Sequence, residues 1–309
     1  MKRDFLTLKD YTSDELIEMI ELGIKLKKER EKNIDQTHYM KGKKVALIFE
    51  KSSTRTRVSF EVGVFELGGY PLFLSKNDIQ LGRGETIADT ARTLSRYVDM
   101  IMIRTFEHSK IEELAKYASV PVINGLTDDF HPCQVMADVM TIYEKLGKFK
   151  GVKVAFVGDG NNMANSWMIG AAKFGIDFTL ACPKGYEAKQ DVFVEARKIA
   201  LDTGAKIEMT NDPYEAVRGA DIIYTDVWAS MGQEAESEKR LKDFKGFQVD
   251  DNLMKATGKN TYFMHCLPAH RGEEVTEDVL ESEMSIVFDE AENRLHAQKA
   301  IMVKLIKNR

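Results

Sequence analysis

The sequence predicts an α/β protein of two lobes, each a mainly parallel sheet flanked by helices, with a ligand site in the cleft between them. Three observations predict it. The chain has 309 residues, more than one hydrophobic core usually organises. Short apolar runs alternate with helical patterns, the signature of parallel strands joined by crossover helices. The alternation also restarts after "GKFKG", Gly147 to Gly151, which reads as a boundary. The lobes are therefore expected over residues 1–147 and 148–288, with a last helix at 289–309 packing back on the first lobe.

Each element follows from local chemistry. "TSDELIEMIELGIKLKKER" opens with Thr12 and has Glu15 three residues on, a capping-box spacing, and Leu16, Met19 and Ile20 begin its apolar face. "KVALIF" reads as a buried strand, and Val58 to Leu67 as a helix stopped by Gly68-Gly69. "YPLFL" is a strand, Ile87 to Tyr97 a helix, "DMIMIRT" a strand, Lys110 to Ala118 a helix, "VPVIN" a strand and Pro132 to Leu146 a long helix. In the second lobe "VKVAFVGDG" is a buried strand, followed by a helix from about Asn162 to Phe174. "DFTLAC", "KIEMT", "DIIYT", "TYFMHC" and "SIVF" read as further strands, and Asp289 to Ile306 as an amphipathic helix.

Composition narrows the function. Hydrophobic residues at 43% and charged residues at 30% supply a core and a soluble surface. A net charge of -5 argues against a general affinity for nucleic acid or an anionic membrane, so any anion site must be a local concentration of positive charge. Three cysteines, Cys133, Cys182 and Cys266, give no even disulfide framework and suit a reducing compartment. The N-terminus lacks an apolar stretch of signal-peptide length, and no run of about 18 apolar residues occurs, so the expected location is cytoplasmic.

Such a concentration lies in "EKSSTRTRVSF". Ser53, Thr54 and Thr56 offer hydroxyls and Arg55 a guanidinium fork where a helix would begin at about Thr54, straight after a parallel strand. Free backbone N–H groups and the positive helix end would face an oxyanion there, and phosphate is the natural inference. Gly and Lys are absent from the Walker positions, so magnesium is not implied.

The second lobe offers "VGDGNNMANSW", which imitates a dinucleotide fingerprint. Met163 holds the third glycine position, and the next strand ends in Cys182-Pro183 with no acid for a ribose, so no nicotinamide cofactor is expected. What remains is a polar turn at a helix start, suited to a carboxylate or explained by simple capping from Asn161 or Asn162. "HPCQ" sets His131 and Gln134 at another helix start, as donors to one carbonyl or as a cap. "DVWASMG" follows a strand with Asp226, Ser230 and Met231, and a surface loop would also explain it. "HCLP" places His265 and Cys266 after a strand. Adjacent strand residues point apart and no CxxC partner exists, so no structural metal is expected; the thiol is either a buried filler or a poised polar group.

Taken in order, "STRTR", Arg104 ending "IMIRT", "HPCQ", "DVWASMG", "HCLP" and "AENRLH" resemble the signature series of the aspartate/ornithine carbamoyltransferase family over nearly the whole chain. The "DVWASMG" stretch is similar to that of the ornithine carbamoyltransferases. The resemblance implies transfer of the carbamoyl group of carbamoyl phosphate to the δ-amine of L-ornithine, giving L-citrulline and phosphate in arginine metabolism, with no cofactor. It implies a carbamoyl phosphate-binding first lobe and an L-ornithine-binding second lobe. Ser53, Thr54, Arg55 and Thr56 would hold the phosphate, and Arg104, His131 and Gln134 the carbamoyl group, with Arg294 adding positive charge near its oxygen. Asn162 and the backbone at Met231 would take the α-carboxylate, Asp226 the α-ammonium, with Ser230 completing that loop; Cys266 and the Leu267 carbonyl would lie beside the reacting amine. Arg104, His131, Cys266 and Asp226 are the expected catalytic groups. Gln80, on the Gly-flanked "NDIQLGRGE" stretch, would be offered to a neighbouring subunit, which implies a homotrimer or a multiple of trimers. A carbamoyltransferase for another amine, putrescine or an N-acylated ornithine, is the alternative. It leaves the S-M-G stretch without a carboxylate to bind if the acceptor is a plain diamine.

Overall fold

The computed structural model describes residues 2–77, 79, 84–229 and 234–307. Its packing divides into two compact units, Met1–Met140 with Glu292–Arg309 and Thr141–Ala291. The divisions fall inside two long helices, whereas the sequence placed them at Gly147 and after residue 288.

In the first unit α1 (Ser13–Glu31) starts at the expected capping box: the Thr12 hydroxyl accepts from the Glu15 N–H while the Glu15 carboxylate accepts from the Thr12 N–H. Strand β1 (Lys44–Phe49) is buried along five of its six residues. It leads to α2 (Thr54–Glu66), β2 (Tyr70–Ser75), α3 (Ile87–Tyr97), β3 (Met100–Arg104), α4 (His108–Tyr117), β4 (Val122–Leu126) and α5 (Pro132–Leu146). The four strands form one parallel sheet in the order β2-β1-β3-β4. Ile103 pairs with Asn124 but Arg104 with Leu126, so Gly125 is an extra residue in β4, opposite the end of β3. A Cβ at Gly125 would stand 2.5 Å from Met102 Sδ and 3.1 Å from the Ile103 carbonyl oxygen, which restricts the position to glycine. This bulge carries β4 two residues beyond the "VPVIN" run.

The second unit contains β5 (Lys153–Val157), α6 (Asn162–Phe174), β6 (Asp177–Ala181), α7 (Gln190–Thr203), β7 (Ile207–Thr210), α8 (Pro213–Val217), β8 (Ile222–Thr225), α9 (Ser237–Asp243), α10 (Asp251–Lys255), β9 (Tyr262–His265) and α11 (Glu277–Leu280). Its strands are all parallel, in the order β7-β6-β5-β8-β9. Trp167 of α6 stacks on Phe178 of β6 with ring centroids 6.0 Å apart, an aromatic centre for the helix–sheet core.

The expected strand "SIVF" does not form. Ser285 makes a lone bridge to Phe263, and α12 (Val287–Lys307) begins two residues later. A four-residue apolar run has no readable period. Asp289 and Glu290 then favour a helix start, where acidic groups meet the positive helix end. Glu290 is fully buried, accepting from the Tyr224 hydroxyl at 3.2 Å and the His265 N–H at 3.0 Å. Among the described residues no helix is long and apolar enough to cross a membrane.

Candidate functional site

Both sheets reverse direction once. In the first, the chain moves from β1 outward to β2, then returns to β3 on the other side of β1; in the second, it moves from β5 through β6 to β7, then returns to β8 beside β5. Open parallel sheets bind ligands outside the carboxyl ends of the strands at these switch points. The loops after β1 and β3 carry "SSTRTR" and follow Arg104; those after β5 and β8 carry Asp159-Gly160-Asn161 and Asp226. The sequence located the strands, and within each sheet the strand order sets its own pair of loops side by side at the switch point.

In the first unit α2 begins at Thr54 with Ser53 as its cap, the Ser53 hydroxyl oxygen accepting from the Thr56 N–H at 3.2 Å. Thr54 is exposed, Ser53 and Arg55 are half-buried and Thr56 is buried. Arg294 of α12 is buried, donating to Thr56 Oγ1 at 3.0 Å and to Gln134 Oε1 at 2.6 Å. Gln134 in turn donates to buried Asp138 at 2.7 Å. Gln134 therefore orients Arg294, a role beyond the carbonyl donor expected of it. Arg104 closes β3 and is 8% exposed, and His131 directly precedes α5. Burial pushes the His131 pKa well below its ordinary value, and the positive charges of Arg294, Arg104 and Arg55 push it further. His131 is thus a neutral imidazole with three guanidiniums around it, able to donate one N–H without adding charge. Arg57, the last residue of the opening motif, stands apart: it bonds Glu61 at 3.1 Å and stacks 3.5 Å from the Phe73 ring centroid.

In the second unit the cap of α6 is Asn161, whose side-chain oxygen accepts from the Met163 and Ala164 N–H groups. Its amide nitrogen donates to Asp226 Oδ2 at 2.8 Å. Asn162 is the first helical residue, beside this cap. The other Asp226 oxygen accepts from the Val227 N–H at 2.8 Å and from the Cys266 thiol at 3.1 Å. Asp226 is 6% exposed and Cys266 half-buried, so a carboxylate and a thiol share a proton-bearing contact at the ends of β8 and β9. Because β9 ends at His265, Cys266 leaves the strand's alternation. The ligand atoms of Asp226, His265 and Cys266 lie within 4.8 Å of one another, which corrects the expectation that His265 and Cys266 point apart. Both His265 nitrogens already have partners. Nδ1 accepts from the Leu267 N–H at 2.9 Å, so Nε2 carries the proton that it donates to Glu274 at 3.0 Å. Leu267 itself has φ +56°, a left-handed conformation uncommon for a branched side chain, and His265 holds its N–H there.

Three supports escaped the sequence reading. Arg240 of α9 is buried and donates to Asp159 Oδ2 and to the Trp228 carbonyl, both at 2.8 Å. Asp159 is nevertheless raised to about 6, because burial outweighs Arg240 and the charge of Asp226 adds to it. Glu274 orients His265 from the next loop. Gly160 packs so closely that a Cβ would meet the Ala188 nitrogen at 2.2 Å and the Glu187 carbonyl carbon at 2.4 Å. That contact explains Gly160, the second glycine of "GDG", without a nucleotide. Only the lone Arg in "EKRLKD" could have hinted at the first support. Gln80, Ser230 and Met231 lie outside the described residues.

The aspartate/ornithine carbamoyltransferase carbamoyl-P binding domain matches residues 3–144, and the Asp/Orn binding domain of the same family matches residues 150–305. The chain belongs to the aspartate/ornithine carbamoyltransferase family. It is 58% identical over 304 residues to the ornithine carbamoyltransferase of Anoxybacillus flavithermus, covering 98% of this chain and 96% of that one. It is 57% identical over 305 residues to that of Pyrococcus abyssi, with the same two shares. Among solved structures, the ornithine carbamoyltransferase from Pyrococcus furiosus matches with a TM-score of 0.95 at 55% identity, over 97% of this chain and 96% of that one. The anabolic ornithine carbamoyltransferase from Campylobacter jejuni matches with 0.93 at 42% identity, over the whole of both chains. Of the signature series, "STRTR", Arg104, Asp226 and "HCLP" stand at or just after the carboxyl ends of β1, β3, β8 and β9, "HPCQ" opens α5, and "AENRLH" lies within α12.

Proposed function

We infer that the protein transfers the carbamoyl group of carbamoyl phosphate to the δ-amine of L-ornithine, giving L-citrulline and phosphate. The observation that carries this is the first-unit site: a helix start bearing Ser53 to Thr56, with Arg55, Arg104 and Arg294 around a neutral His131. That arrangement suits a dianionic phosphate attached to a polarisable carbonyl. The first unit is assigned carbamoyl phosphate and the second L-ornithine.

Ser53, Thr54, Arg55 and Thr56 are assigned to the phosphate. Arg104 and His131 would donate to the carbamoyl oxygen, which becomes negative as the amine attacks, so they stabilise the transition state more than the substrate. Arg294, held by Gln134 and Thr56, adds positive charge there. On the acceptor side Asp226 is assigned the α-ammonium, and Asn162 with Met231 the α-carboxylate. An alkyl ammonium with a solution pKa of about 10.4 is no nucleophile until it loses a proton. The contact of Cys266 with Asp226 supports placing that deprotonation beside the thiol. The amine then adds to the carbamoyl carbon, the C–O bond to phosphate breaks, and the departing phosphate takes up the amine proton. The three free thiols support a cytoplasmic location. The likeness of the Gln80 stretch to a loop shared between subunits supports a homotrimer, and the Campylobacter jejuni relative's anabolic description supports a role in arginine synthesis.

An acceptor screen with carbamoyl phosphate tests this reading by comparing L-ornithine, putrescine, N-acetylornithine and L-aspartate for ureido product. Turnover with L-ornithine at least a hundredfold above the others is expected; preference for putrescine or N-acetylornithine would contradict it. The rate with L-ornithine is also expected to climb with pH as the amine deprotonates.

A further inference from the structure

Two consecutive charged residues, Glu50 and Lys51, stand between β1 and the Ser53 cap, and the reaction described above uses neither. Their side chains are only 9% and 7% exposed. Glu50 accepts from Lys110 Nζ at both carboxylate oxygens, 3.0 and 2.9 Å, and from the Thr105 hydroxyl; its N–H donates to the Arg104 carbonyl at 2.9 Å. Lys51 pairs with Asp128, and its ammonium lies 4.4 Å from the Phe106 ring centroid. Asp128 belongs to the turn that delivers His131: its N–H donates to the Phe106 carbonyl at 2.8 Å, and Thr127 and Phe130 clasp each other through bonds of 2.9 and 3.2 Å.

A buried ammonium is costly unless paired, and an apolar residue would cover the sheet edge equally well. Opposite charges on adjacent residues instead reach two different loops. We propose that Glu50 and Lys51 are positioning residues that hold three loops in register: the phosphate-facing start of α2, the segment after Arg104, and the turn before His131. Glu50 ties the first loop to the second through Thr105 and Lys110, and Lys51 ties it to the third through Asp128. The inference rests on the donor-site reading above, because misplacement by about 1 Å between a phosphate cradle and its carbonyl donors costs on the order of a hundredfold in rate.

The test compares Lys51→Met, Asp128→Asn and the double variant with the wild type. Kinetics gives kcat/KM for carbamoyl phosphate and KM for L-ornithine; calorimetry with inorganic phosphate and thermal melting accompany them. Each single variant should lower kcat/KM for carbamoyl phosphate at least tenfold, with KM for L-ornithine within twofold. The double variant should be no worse than the poorer single, because both substitutions break one tie. Wild-type kcat/KM with a lowered Tm, or losses that multiply in the double variant, would overturn the proposal. If Lys51→Met does not fold, Asp128→Asn decides alone, since its carboxylate is half exposed and replaceable. If the wild type binds inorganic phosphate yet makes no ureido product from L-ornithine, the acceptor reading has failed. A fivefold or greater weakening of phosphate binding in the variants would still support the tie, and unchanged binding would refute it.

Discussion

A histidine among three arginines keeps its proton off, and that single fact governs the chemistry of the proposed donor site. His131 is buried beside Arg55, Arg104 and Arg294, so its pKa falls well below 6.5 and the ring remains a neutral donor across the working range. Replacing His131 with Ala should lower kcat about a hundredfold, the usual effect of removing one donor to a developing oxyanion, roughly 3 kcal/mol. KM for L-ornithine should change little, and the acid limb of the wild-type profile should carry no titration near 6.5. Steady-state kinetics of both proteins across pH 5 to 9 checks this. A wild-type midpoint near 6.5 that vanished in the variant would show a titrating imidazole instead. Such residues stood out in the sequence because their chemistry is concentrated: "STRTR" and "HPCQ" set unusual donors at helix starts, and "HCLP" sets them directly after a strand. Their partners were not. Arg240 reaches Asp159 from 81 positions away, and Arg294 reaches Gln134 from 160, so no local pattern marks either contact.

Among the elements, helices with caps and clear apolar faces were readable to the residue. α3, α5 and α6 have the bounds their sequences indicate, because Thr86 and Asn161 cap two of them and Pro132 opens the third. Short apolar runs were less readable. The second half of "SIVF" joined a helix, and β4 slid two residues because the Gly125 bulge exists only relative to its partner strand. The glycines of "GDG" show the same limit from the other side. A nucleotide fingerprint and a close backbone crossing use the same residue, and the crossing at Tyr186–Ala188 is what Gly160 serves, with its N–H bonded to the Tyr186 carbonyl at 2.8 Å. Gly160→Ala should therefore destabilise the second unit by about 2–4 kcal/mol, since the added methyl meets backbone that cannot turn aside. Urea unfolding monitored by tryptophan fluorescence measures it, Trp167 and Trp228 both lying in that unit. A loss below 0.5 kcal/mol would refute the crossing as the reason for the glycine.

At the scale of the whole molecule, the sequence disclosed two α/β blocks, while the strand orders that put the motif loops at two switch points depend on long-range pairing. The C-terminal helix also buries a liability. His296 is fully buried, and burial first, then the charges of Lys299, Lys27 and Arg30, lower it to about 3 against the opposing charge of Glu66; Glu292 stands 3.6 Å from its Nε2. The unfolded chain binds this proton near 6.5 and the folded chain only near 3. Stability is therefore full above 6.5 and declines as pH falls between these values, by up to about tenfold in the folding constant per pH unit. Unfolding midpoints should drop across that window, and His296→Gln should flatten the decline by about one proton. Identical slopes for both proteins would exclude His296 as the cause. His131, similarly depressed, adds to the decline in both.

A crystal grown with carbamoyl phosphate or a stable phosphonate analogue would show whether the start of α2 holds the phosphate of the donor. The phosphorus is expected within about 4 Å of the Thr54–Thr56 backbone nitrogens, with Arg55 bonded to its oxygens. Phosphorus seated elsewhere, with these groups facing only solvent, would contradict it.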